Sequence, residues 1–150
     1  MMTTFLLRVL ERIHGHLGWL TVAALLHPAI ILRNPRRRAR LSVSLATLFA
    51  VGTALIGGVI YPHYRERLKQ HIFIEAPRVG WLFERKEHLA VGAVGLALAG
   101  CAAHLSVPLF EDDAIRTTVA RMAHRAYVGA FVIGLIVAVL GVAVASFKSF

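Results

Sequence analysis

The chain has 150 residues, is 57% hydrophobic and only 17% charged, and carries a formal net charge of +9 with a mean hydropathy of +0.66. A soluble domain is about 45–50% apolar and about 25% charged, so this composition excludes that class, and its hydrophobicity excludes disorder. A single cysteine, Cys101, excludes a disulfide scaffold, and a nucleic-acid partner would need the basic residues on one face of a soluble domain.

Four apolar runs follow one another along the chain: 13–32, 41–62, 89–110 and 126–147. None contains Asp, Glu, Lys or Arg. Each reaches the ~20 residues that cross ~30 Å of hydrocarbon, and backbone groups in lipid must be bonded internally, which selects helices. The expected fold is all-α: an integral membrane four-helix bundle forming one four-span domain over residues 1–150. The first run starts after Glu11 and Arg12 and ends in a basic cluster, so it reads as a retained helix rather than a cleaved signal.

Residues 33–40 (RNPRRRAR) form a tight turn broken by Pro35. After the second run, residues 64–74 (YRERLKQHIFI) have the pattern of a short amphipathic helix on the bilayer surface, between helices 2 and 3. Pro77 suits the first turn of a helix entering the third run. Glu111, Asp112 and Asp113 suit a helix N-terminus, so the fourth helix is expected to begin near Asp113. Trp19, Trp81 and Phe83 sit near interface depth.

Lys and Arg are almost evenly shared between the two sides of such a bundle. Density decides the orientation: five arginines fall within residues 33–40. Positively charged loops stay inside, so loops 33–40 and 111–125 are expected in the cytoplasm, with both termini and residues 63–88 outside a cytoplasmic (inner) membrane.

Eight histidines remain. His27 lies ~9 Å inside the end of the first helix and His104 at nearly the same depth in the third, with His124 close to that face. His14, His16, His63 and His88 form a second layer towards the opposite face. His16 and His27, eleven residues apart, return to one helix face, whereas His14 points elsewhere. Histidine ligates haem iron axially, and small residues (Ala93, Ala97, Gly100; Ala23, Ala24) precede His104 and His27 as flat space for a porphyrin. Arg8, Arg12, Arg65 and Arg67 could neutralise propionates.

In its four spans and two histidine layers the sequence resembles small four-helix di-haem b-type membrane cytochromes. The resemblance implies one or two haem b groups, the first on His27 and His104. It implies an electron carrier or haem-bearing anchor between a membrane quinol and a redox partner subunit, rather than a stand-alone enzyme. The sequence departs from that pattern in helix 3: His88 and His104 are ~160° out of phase, which leaves the outer haem to His16 with His63 or His88.

Two alternatives stand beside it. The small-residue stripes, including Gly129, Gly134 and Gly141, also suit a cofactor-free accessory or structural subunit of a larger complex or homo-oligomer. Glu84 and His88, at i,i+4, could hold a metal ion at the outer face with His14, His16 or His63. No Gly-rich phosphate loop and no nucleophile elbow occurs.

Overall fold

The computed structural model describes residues 4–146, apart from the side chains at positions 4, 67 and 68. Among them the chain is all-helical, with no strand: α1 (Thr4–Ile31), α2 (Arg40–Tyr64), α3 (Gln70–Glu75), α4 (Pro77–Ser106) and α5 (Asp113–Ser146). A π-type turn, Arg65–Lys69, links α2 to α3, and a 3₁₀ turn, Val107–Leu109, follows α4. Phe147, the last residue of the fourth apolar run, and the Arg67 side chain lie outside the described residues.

Local chemistry sets the boundaries. After α1 the Asn34 side-chain oxygen accepts the Arg36 N–H at 3.0 Å, and its carbonyl accepts the Arg37 N–H at 3.0 Å, which closes the turn before α2. Ala76 leaves helical geometry (φ −141°, ψ 71°) because proline disfavours the α region in the residue before it, and Pro77 opens α4 as expected. At the other end Val107 keeps helical dihedrals (φ −46°, ψ −43°), but Pro108 has no N–H to continue the α-helical ladder, so α4 stops at Ser106 and the chain tightens into the 3₁₀ turn rather than continuing as α-helix to residue 110. Asp112 caps α5: its carboxylate accepts the N–H groups of Ala114 at 2.6 Å and Ile115 at 3.0 Å.

The four long helices form a ring of contacts in which α1 touches α2 and α5, and α4 touches α2 and α5. Small residues line the inside. Val43, Ala46, Thr47 and Ala50 on α2, Ala93, Ala97 and Gly100 on α4, and Ala120, Ala123 and Ala130 on α5 are buried at helical spacing. They let the backbones approach closely around Leu25, Ala29 and the fully buried Tyr127.

A second, smaller core joins Tyr64, Ile72, Val79, Phe83 and Val144. The Tyr64 and Phe83 rings stack at 4.0 Å. The amphipathic 64–74 segment is therefore a helical continuation of α2 that folds against the base of α4, with Ile72 buried there.

Three helices are long and apolar enough to cross a membrane by length and composition: α2, α4 with its 3₁₀ turn, and α5. They coincide with the second, third and fourth apolar runs of the sequence. α1 is not among them although it has 28 residues. His14, His16, Thr21, His27 and Pro28 dilute its apolar run.

Candidate functional site

Two histidines expected in the inner layer, His27 and His104, meet one turn of α2, whereas His124 is half-buried and its Nδ1 has no hydrogen-bond partner. His104, buried on α4, accepts the Ala39 backbone N–H on its Nε2 at 3.3 Å. A neutral imidazole accepting at Nε2 carries its proton on Nδ1. His27, exposed on α1, bonds through Nδ1 to the Ser42 hydroxyl at 2.6 Å. Ala39 has no side-chain capping bond of its own. An imidazole from each neighbouring helix thus holds the head of α2.

Below that turn lies a polar node. Tyr127 on α5 donates to the Val43 carbonyl at 3.1 Å, and its oxygen stands 2.8 Å from the Thr47 hydroxyl. Thr47 lies 3.4 Å from the Ala97 carbonyl on α4. The tyrosine ring fills the space along the small-residue face of α4: a Cβ added at Gly100 would meet that ring at 3.0 Å. The flat space expected for a porphyrin is the seat of Tyr127. For iron to bind His104 at Nε2, the Ala39 bond would have to be given up and Tyr127 displaced. A haem on His104 would therefore require both changes.

At the opposite end the histidines diverge. His16 is exposed. His63 is half-buried, and its Nδ1 has no hydrogen-bond partner. His88 is exposed and bonds through Nδ1 to its own helix, at the Glu84 carbonyl, 2.8 Å away. The α1 histidine turned inwards is His14, which bonds the Thr53 carbonyl on α2 at 3.1 Å. The eleven-residue spacing did align His16 with His27, but on an exposed face, and the inward position belongs to His14.

Glu84, His88 and His14 do not gather as a metal set. The Glu84 carboxylate pairs with the Lys69 ammonium, and among the described residues no three His, Cys, Asp or Glu side chains come together to hold a metal ion. The hydrogen bond to Glu84 raises the Lys69 pKa above its ordinary value; burial opposes this, and the Glu84 charge adds a smaller upward push. Lys86 lies over the Phe83 ring, 4.5 Å from its centre.

Sequence reasoning centred on histidine missed the hydroxyls. Besides Thr47 and Tyr127, Thr21 on α1 donates to the Phe49 carbonyl at 3.2 Å and stands 2.8 Å from the Thr53 hydroxyl. The signal was present: isolated Thr and Tyr residues inside apolar runs are candidates for helix–helix hydrogen bonds. The tie between α1 and α2 thus uses Thr21 and Thr53 as well as His14, while Tyr127 ties α5 to α2. No protein-family model matches this chain, and no curated protein or solved structure matches it either.

Proposed function

We propose that the chain is an integral membrane protein in which all four long helices cross the bilayer as one bundle, and that it works without a cofactor as an anchoring or accessory subunit of a larger membrane complex. The observation that carries this reading is the seat of Tyr127. Its ring and hydroxyl close the middle of the bundle, and the polar groups around it are spent on bonds between helices. The outside supports the bilayer. Only 28%, 22% and 11% of the apolar windows of α2, α4 and α5 are buried within the protein. Large apolar side chains such as Leu48, Leu55, Val91 and Val142 point outwards instead. The arginine-dense 33–40 turn supports a cytoplasmic position for that loop and for 111–125, with the termini outside.

A haem b on His27 and His104, passing electrons between a membrane quinol and a partner subunit, is the second reading. Its support is that both imidazoles meet the first turn of α2. The reduced-minus-oxidised absorption spectrum of the purified protein separates the two. The anchoring reading expects no α-band. A b-type α-band that disappears in both His27→Ala and His104→Ala would replace it with the haem carrier.

A further inference from the structure

The two ends of the molecule differ in how densely their basic residues are clustered. At the end that holds Lys69, Lys69 pairs with Glu84, and the exposed Arg65, Arg78 and Arg85 are spread over separate turns of helix. At the other end Arg33, Arg36, Arg37, Arg38 and Arg40 are all exposed. None of them forms an ion pair among the described residues.

Carboxylates near that end are largely occupied. Asp112 caps α5, and Asp113 faces Arg116 at 3.5 Å. The turn itself is shaped by Asn34, whose two bonds fold Arg36 and Arg37 back against it. The guanidinium groups are thus concentrated on a short structured turn without protein partners.

Apolar surface begins directly beneath them. Leu41, next to Arg40, is 74% exposed, and Ile30, about one turn below Arg33, is 63% exposed. A ligand that satisfies this surface carries a phosphate to bridge guanidinium groups and a hydrocarbon chain to cover Leu41 and Ile30. A free anion would leave the apolar half uncovered.

We propose that the 33–40 turn and the adjoining ends of α1 and α2 form a binding surface for the headgroups of anionic phospholipids. The inference rests on the membrane reading above and deepens it by naming a lipid partner.

The test uses the full chain reconstituted in phosphatidylcholine vesicles carrying a trace of spin-labelled phosphatidylglycerol or spin-labelled phosphatidylcholine. The fraction of motionally restricted label gives relative affinity. Each arginine near an anionic surface strengthens association roughly fivefold at low salt. The expected result is a several-fold preference for phosphatidylglycerol that falls towards unity in the Arg36→Gln/Arg37→Gln/Arg38→Gln variant and persists in Arg78→Gln/Arg85→Gln on α4. These positions are exposed, and helical circular dichroism confirms that each variant is folded. An equal response of wild type and the triple variant overturns the proposal. So does a preference abolished by inorganic phosphate but not by chloride at equal ionic strength, which would make free phosphate the ligand. Extraction of the native protein by alkaline carbonate would instead overturn the membrane reading itself, independently of lipid preference.

Discussion

His104 on α4 accepts the backbone N–H of Ala39, 65 positions earlier in the chain, across 3.3 Å. Both residues are buried, at 8% and 7% exposure. Water therefore offers no ready substitute, and loss of the imidazole strands a buried N–H. His104→Leu is expected to destabilise the protein by ~1–3 kcal/mol, the cost of an unsatisfied buried donor. His104→Gln, which retains an acceptor, should recover part of that loss. Thermal unfolding followed by helical circular dichroism reads both. Equal losses in the two variants would mean that imidazole packing matters rather than the bond.

Tyr127→Phe removes a hydroxyl that bonds Val43 and Thr47 while keeping the ring. The expected loss is about 1 kcal/mol, since hydrogen bonds between helices in a bilayer average ~0.6 kcal/mol and exceptional ones reach ~1.7 kcal/mol. Tyr127→Ala also empties the core and should cost ~3–5 kcal/mol. Thr47→Val combined with Tyr127→Phe should cost less than the two single changes added together, because they share one bond. Strict additivity in unfolding free energy would remove the Thr47–Tyr127 bond from the account.

Helix existence was legible because charge stops where the apolar runs begin. The starts at Pro77 and Asp113 were legible because proline and acidic first-turn residues have local effects. Helix rotation was not. A helix apolar nearly all round carries no stripe that says which face is inside. Spacing alone therefore aligned His16 with His27 correctly yet left open whether that face pointed in or out. The inward turn of His14 depends on the open space at Gly57 across on α2, which no pattern within α1 records. The use of His104 likewise depends on the end of α2, a boundary set by the turn at Asn34 far away in sequence.

The two glycines beside candidate-site residues should respond unequally to a methyl group. At Gly100 a Cβ would lie 3.0 Å from the Tyr127 ring and 3.2 Å from the Ala126 Cβ. Neither can move freely, because the ring is fully buried and Ala126 belongs to the α5 backbone face. Gly100→Ala is expected to cost ~1–3 kcal/mol by overpacking. At Gly57 a Cβ would meet His14 Cε1 at 2.9 Å, but this is the far end of a side chain that can rotate. Gly57→Ala should therefore cost less, chiefly through the bond from His14 to the Thr53 carbonyl. Unfolding measurements on the two variants check the order, and a larger loss at Gly57 would reverse it.

The Lys69–Glu84 pair joins the segment after α2 to α4, and it sets one pH response. Glu84 raises the Lys69 pKa above its ordinary value, which for lysine is ~10.4. A group whose pKa is higher in the folded state binds its proton more tightly there, so the unfolded chain releases that proton first as pH rises. The contribution is therefore complete below ~10.4 and is lost as pH climbs through the raised folded value. The difference in unfolding temperature between wild type and Lys69→Gln should be constant across neutral and mildly alkaline pH, then shrink above the ordinary lysine range. Glu84→Gln should abolish the same alkaline step, because the raised pKa has its largest cause in that hydrogen bond. A difference that already disappears near neutral pH, or one that persists unchanged far above the lysine range, would show that Lys69 does not titrate against Glu84.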